Sequence, residues 1–510
     1  MKKIILIPLD ERPCNYDFPQ MLTDETEYEV VVPPRDILGK KKIPGDMDKI
    51  WVWLIDHVKN CHAAVISIDT LLYSGIVPSR LHFFEFEKLI LRLNNVKKLK
   101  EINPNIKIYA FSLIMRNPKY SSSDEEPDYY ETCGHEIHRY GVINHLIELG
   151  VASDEDIEEL KNIHNTLKKE YLDDYLTRRK KNLEVNKRVV ELAAEGIFDF
   201  VIIPQDDASL YGLTAKDQQV IRQRINDLNM NLKVYMYPDA DAVANTLITR
   251  YINKSMDCIP LVYVKYASGT GQGVVPLYED RIVSESIKYQ VLAAGGLCVS
   301  SVAESDIVLL INIPSDNMKD HLSIVKYKEG LSPSIEYDAC RNVVEIIEFA
   351  HYVIHSLGKK VVIGDIAYAN GGDPLLFSMI KQKGLLYKLS GYAGWNTSSN
   401  SLGTCIPMGM IHDICGDSKA HLKFLALRYL EDIGFCVYVR RNVAKEAEAL
   451  GMNYRKTDGQ RGQAAQMVSE ELKRFANDHL CIEGNKVVIE DCYLPWARMF
   501  EVGIRVNVIQ

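Results

Sequence analysis

Short apolar, β-branched runs that end in a carboxylate or an arginine recur along this chain, and they restrict its fold more than any other feature. Phe200-Val201-Ile202-Ile203 stops at Pro204 and is followed by Gln205-Asp206-Asp207. Ile4 to Leu9 runs into Asp10-Glu11-Arg12, Ala64 to Ile68 into Asp69, and Ile108 to Ile114 into Met115-Arg116-Asn117. Val234 to Tyr237 reaches Pro238-Asp239, and Val361 to Gly364 reaches Asp365. Runs that are apolar at successive positions belong to strands buried on both faces, as in parallel sheets. In α/β folds the carboxyl ends of such strands carry the active site, so these junctions predict a rim of reactive side chains. Neighbouring strand residues point to opposite faces. Asp206 and Asp207 therefore share a cleft only if the strand ends at Pro204.

Strand-like runs at 3–9, 28–33, 63–68, 107–114, 199–204, 232–237, 260–265, 306–312 and 360–364 alternate with helical stretches such as 51–59, 84–100 and 186–195. This alternation predicts βαβ units in an α/β fold with a mostly parallel sheet. Eight or nine strands suit a (β/α)8-like, TIM-barrel-like closure better than one open sheet, with stacked open sheets as the alternative. The first strand is expected inside the sheet, with Asp10 and Arg12 at its carboxyl edge. Residues 154–196 read as a charged, solvated helical insertion between the third and fourth barrel strands, not counting 28–33. The polar loop 121–128 is placed to flank the site. Residues 1–409 form the expected catalytic-type domain. Residues 410–510, with helices at 419–432 and 461–478 and a strand at 486–490, form an accessory α+β segment.

The 510 residues are 47% hydrophobic and 25% charged, the balance of a soluble globular chain. A net charge of −9 argues against non-specific nucleic-acid binding, and no apolar run approaches the roughly 20 residues of a membrane span. The apolar run after Met1-Lys2-Lys3 is interrupted by Asp10-Glu11-Arg12 too soon for a signal peptide, so a cytoplasmic protein is expected. Eleven cysteines without a Cys-x-x-Cys pair fit reduced thiols, with Cys258, Cys298 and Cys436 read as small buried hydrophobes. The oligomeric state is left open.

Three further segments carry polar chemistry. Gly269-Thr270-Gly271-Gln272-Gly273 lacks the lysine of a phosphate-binding loop and the spacing of a dinucleotide fingerprint, and reads as a flexible turn. Asp365, Tyr368, Asn370 and Asp373 lie within one loop; Asp365 and Asn370 suit sugar hydroxyls or a cation, while Asp373-Pro374 is also a helix cap. Trp395 and Asn396, among small hydroxylated residues, suit an aromatic platform for a sugar face, with a core tryptophan equally compatible. His135-Glu136-Ile137-His138 has an i, i+3 histidine spacing, unlike the i, i+4 of zinc peptidases, and reads as a charged helix face.

Taken together, Pro8-Leu9-Asp10-Glu11-Arg12-Pro13, Ser67 to Gly75, Gln205-Asp206-Asp207, Asp365 to Gly372 and Gly394-Trp395-Asn396-Thr397 resemble the bacterial domain-of-unknown-function family 4127, from the N-terminus to about residue 410. That resemblance bears on fold rather than activity. A second similarity, in the Asp-Asp pair alone, is to hexosaminidases of the O-GlcNAc hydrolase type. It implies that Asp206 polarises a substrate's 2-acetamido group while Asp207 is the general acid/base, the substrate-assisted scheme; Gln205 and Pro204 depart from that pattern.

The expected activity is a glycosidase-like hydrolase of a sugar-containing small molecule or glycan, with Asp206 and Asp207 catalytic. Asp10, Arg12, Asp69, Tyr73, Arg80, Arg116, Gln205, Asp239, Asp365, Tyr368, Asn370, Asp373, Trp395 and Asn396 are the expected substrate contacts, and neither a metal nor a cofactor is required. One alternative is a hydrolase of phosphate or amide bonds using a divalent metal held by Asp10, Asp69, Asp206, Asp207 and Asp365, with Arg12, Arg80 and Arg116 on the substrate anion. The other is a non-catalytic sugar-binding protein.

Overall fold

The computed structural model describes residues 1–323, 337 and 339–509. Two compact units divide the chain. The first comprises residues 1–11, 28–244 and 278–280, and the second residues 12–27, 245–277 and 281–510. The second runs unbroken through the position near 410 where the accessory segment was expected to begin.

The first unit is built on six strands: β1 (Lys2–Ile7), β2 (Tyr28–Val31), β3 (Ala63–Ser67), β4 (Lys107–Phe111), β5 (Phe200–Ile202) and β6 (Val234–Tyr235). All pairs are parallel, in the order β2-β1-β3-β4-β5-β6. The apolar runs account for this: Ile4 to Ile7 and Ala63 to Ile66 are wholly buried and lie in register, Leu6 beside Val65 and Ile7 beside Ile66. Thus β1 is an interior strand, as its apolar run Ile4 to Ile7 requires. Chain direction reverses between β1 and β3, since β2 lies on one side of β1 and β3 on the other. Such a reversal opens a crevice at the strand carboxyl ends.

In the second unit the chain continues through β7 (Leu261–Tyr266), β8 (Leu297–Val299), β9 (Ile307–Asn312), β10 (Lys319–Asp320), β11 (Lys360–Asp365), β12 (Tyr368–Ala369) and β13 (Gly391–Ala393). Five of these form a parallel sheet, β13-β11-β9-β7-β8, while β10 pairs with β12. Read from β8, its strands appear in the same relative sequence as β2-β1-β3-β4-β5. Both sheets therefore have the doubly wound order 2-1-3-4-5. The α/β, mostly parallel fold is as expected, but the described strands do not close into one eight-stranded barrel. Lone strand periodicity carries no information about which strands share a sheet.

Residues 154–196 are helical, as Asp154–Thr166 and Lys169–Ala194. A capping box between Ser153 and Asp156 starts the first of these. The second is not a solvated insertion. It buries Val185, Val189 and Leu192 and also the charged Arg178 and Arg179. These cations are tolerated inside because Arg178 reaches Asp174 at 2.8 Å and Arg179 reaches Asp217 at 2.6 Å. The chain ends in an antiparallel pair, β14 (Lys486–Tyr493) and β15 (Gly503–Ile509), bulged between Ile489 and Asp491. Cys436 is buried and Cys258 half-buried, but Cys298 is exposed because β8 is an edge strand.

The helix Ser398–Cys415 lies against β11 with almost no clearance: a Cβ on Gly409 would stand 2.2 Å from Val362 Cγ2. Gly409→Ala is expected to cost about 1–3 kcal/mol, the usual penalty of overpacking. In the Val362→Ala background that cost should shrink, which urea unfolding of the four chains measures as a coupling energy.

Candidate acid-base site

Three loops at the carboxyl edge of the first sheet bring their side chains together. The strand β5 ends at Ile202, and Gln205 still bridges to Ile114 on one side and Pro238 on the other. The chain then turns, because Asp207 adopts a left-handed backbone with φ +47°. That conformation, which costs a non-glycine residue about 1 kcal/mol, lets two consecutive carboxylates reach one guanidinium. Asp206 accepts from Arg80 Nη2 at 2.7 Å, Asp207 accepts from Arg116 Nη1 at 3.2 Å, and Arg116 Nη1 is also 3.7 Å from Asp206.

Behind the pair the arginines are held by two further carboxylates. Arg80 donates to Glu125 at 3.1 Å and Glu126 at 3.3 Å, and Arg116 donates to Glu126 at 2.8 Å and Glu125 at 3.1 Å. Arg80 and Glu126 are buried, whereas the Asp206 and Asp207 side chains remain 16% and 18% exposed. The two aspartates, like Glu125 at 17%, are thus partly solvent-facing members of an ionic lattice whose arginines and Glu126 are buried. Two guanidinium charges face four carboxyl groups, which leaves excess negative charge in a desolvated setting. Burial, followed by repulsion from Asp207, pushes Asp206 up to about 6, against the pull of Arg116 and Arg80. Burial raises Asp207 as well. Like-charged carboxyl groups this close titrate as a coupled pair.

Asp69 begins the helix Ile68–Tyr73, which Ser67 caps by accepting from Thr70 N. Its carboxylate accepts from Leu113 N at 3.0 Å, tying the end of β3 to that of β4, and burial lifts it to about 6. Tyr73 is buried against His82, their ring centroids 4.5 Å apart, so it is a core residue. Gln205 is buried and donates to Ile203 O. Asp239 caps the next turn by accepting from Ala240 N and Ala242 N, while Asp241, two residues on, raises Asp206 through its charge. Asp10 follows β1 on the same edge and is buried. His135 and His138 lie on the helix Tyr130–Glu148 and face the backbone oxygens of Lys119 and Asn117.

The remaining expected contacts belong to the second unit and form different constellations. Arg12 is buried, with its guanidinium 4.5 Å from the Trp496 ring and 3.7 Å from Glu501. Asp365 ends β11 and is saturated by donors: Asn312 Nδ2 at 2.8 Å, Tyr392 OH at 2.7 Å and Asp373 N at 2.7 Å. Burial and the neighbouring Asp373 push Asp365 up to about 7. Asp373 caps the helix Pro374–Gln382 through Leu375 N and pairs with Arg341. Tyr368 is enclosed between His321 and Tyr337. Asn370, at φ +62°, donates to Asp320 at 2.9 Å, and its N–H reaches Asn396 O. Trp395 is a core residue rather than a platform: it is 3% exposed, its indole N–H donates to Thr404, and Phe18 packs edge-on to its ring.

The residues expected on one rim thus divide between the two units. Sequence reading missed Glu125 and Glu126 as individual residues, although they sit in the polar loop expected to flank the site. Tyr120, close enough to Arg116 and Asp207 for their charges to act on its phenol, and Arg341 carried no signal. Among the described residues no three His, Cys, Asp or Glu side chains are arranged to hold a metal ion.

Asp69 has a folded-state value above its unfolded one, so it binds its proton more tightly in the folded chain. Its stabilising share is present below about pH 4 and is lost as pH rises through about 6. Relative to Asp69→Asn, the wild-type chain should therefore gain stability on acidification from pH 7.5 to 5, by about 1.4 kcal/mol. Urea unfolding at both pH values checks this; a difference that stays constant or reverses contradicts it.

None of the curated proteins compared with the chain matches it. The model of the family described as "Protein of unknown function (DUF4127)" matches residues 4–505, and over that near-complete span the chain belongs to this family.

Proposed function

We propose that the chain is a hydrolase of a sugar-containing small molecule or glycan, in which the Asp206–Asp207 pair supplies acid-base catalysis. The observation that carries this reading is the left-handed turn at Asp207, which sets two consecutive carboxyls of raised pKa at the partly exposed side of a buried ionic lattice. Strained backbone and raised carboxyl pKa values are features of catalytic sites. The roles follow from the contacts. Asp206 is held by Arg80 and lies near Arg116, which suits a fixed group that orients and polarises the substrate. Asp207 has one longer bond to Arg116 and is the freer group for proton transfer.

The glycosidic class rests on the similarity of the pair to the hexosaminidase arrangement. Trp395 has no place in it. Tyr120, whose phenol feels the charge of Asp207, is 40% exposed. Arg80 and Arg116 serve in this reading as the counter-charges that keep the carboxyl groups titratable.

Aryl glycosides with good and poor leaving groups test the proposal. Asp207→Asn is nearly isosteric and should cut turnover of a poor leaving group by roughly 10²–10⁴-fold, the usual contribution of a general acid, with a smaller loss on a good one. Asp206→Asn should impair both. Wild-type rates for Asp207→Asn on a poor leaving group would overturn the acid assignment. Activity that a chelator abolishes and a divalent cation restores would favour a metal-dependent hydrolase instead.

A further inference from the structure

At the amino end of the second sheet, a groove with a free volume of about 810 Å3 lies beside the starts of β11 and β13. Lys359 and Lys360 at the start of β11, Lys388 before β13, and Lys419 at the start of the helix Lys419–Arg428 line it, against the carboxylates of Asp417 and Glu483. Lys359 is committed to the backbone oxygens of Ser305 and Ala303. Among the described residues, Lys360, Lys388 and Lys419 have no carboxylate within ion-pair distance.

Two residues that line the same groove each carry a buried polar atom without a hydrogen-bond partner among the described residues: His412 Nδ1 and Asn485 Oδ1. The His412 side chain is 5% exposed, its Nε2 lies 2.8 Å from Asp417, and its ring stacks on His421 with centroids 3.9 Å apart. The Asn485 amide nitrogen has only two long contacts, both 3.5 Å, to the backbone oxygens of Ile482 and Glu483. A buried polar atom left unsatisfied costs about 1–3 kcal/mol, and two on one groove mark a place where a ligand's polar atoms belong.

We infer that this groove is a second binding site, distinct in chemistry from the acid-base site, for a small molecule carrying a phosphate or sulfate ester. The tetrahedral oxyanion supplies the acceptors that Lys360, Lys388 and Lys419 lack. Its hydroxylated remainder, or a protonated phosphate oxygen, donates to His412 Nδ1 and Asn485 Oδ1. The volume falls within the roughly 300–1,000 Å3 of small-molecule pockets, which favours a free metabolite over the phosphate of a macromolecule or a membrane surface. The second sheet presents Asp365 at the opposite, carboxyl end of β11, so occupancy here adds a ligand without blocking that edge of the sheet.

Titration calorimetry of the full chain with inorganic phosphate, and separately with glycerol phosphate, tests the site, using sodium chloride of equal ionic strength as the reference. Saturable binding at one site per chain is expected, with the ester no weaker than phosphate. The exposed Lys388→Ala should weaken it about 3–10-fold, and Lys360→Ala with Lys388→Ala at least 10-fold. Lys360→Arg with Lys388→Arg should retain it, and Asp207→Asn should leave it unchanged. Thermal midpoints without phosphate report whether each variant is folded, and Lys388→Ala alone carries the test if the double variant is not. Absence of saturable binding, or equal binding by Lys388→Ala and wild type, would overturn the inference.

Discussion

Two buried arginines set against four carboxyl groups determine the character of the first unit. Arg80 and Arg116 come from the segments after β3 and β4, Asp206 and Asp207 from the turn after β5, and Glu125 and Glu126 from the loop between. Removing one guanidinium would strand several desolvated carboxylates, and breaking such a pair from one side typically costs 3–5 kcal/mol. The lattice therefore does two jobs through one set of contacts. It staples three segments of distant sequence to the sheet edge, and burial in it raises the pKa of both partly exposed aspartates.

The second unit shows the same strand order with a different solution at the equivalent edge. Asp365 follows β11 as Asp206 follows β5, yet three donors saturate it, and Asp373 is divided between a helix cap and Arg341. Close packing reinforces the difference: a Cβ on Gly372 would lie 2.6 Å from Tyr392 OH and 2.8 Å from Asp365 Oδ2. Asp206 and Asp365 both have raised pKa values, but Asp365 is fully buried whereas the Asp206 side chain reaches solvent. Burial alone raises a carboxyl pKa; partial access is what makes the proton exchangeable with a substrate.

Much of this architecture was legible in the chain. Continuous apolar runs marked the parallel strands, because a strand covered on both faces has no polar alternation to show. Pro204 marked the end of β5 well enough to place Asp206 and Asp207 on one side of the sheet. The barrel was not legible, since closure depends on which strands pair, and β7 has the same composition whether it extends the first sheet or starts a second. Nor were the roles of Trp395, Tyr73 and Asp365: each has a residue type that serves a core or a site equally well. The charged stretch around Arg178 and Arg179 misled for a related reason. A cation buried with its partner looks, in one dimension, like a cation in water.

By itself the sequence determined the α/β class, the interior position of β1 and the carboxyl-edge location of Asp69, Arg116 and Asp206, because these follow from hydrophobic periodicity and from local breaks in it. The tertiary structure alone decided that the rim divides between two sheets, that Arg80 and Arg116 neutralise Glu125 and Glu126, and that Asp207 turns left-handed toward Arg116. Those outcomes depend on groups up to 126 residues apart meeting in a desolvated space, as Arg80 meets Asp206. Electrostatics at such a meeting is set by burial and distance, neither of which is a property of any one stretch of chain.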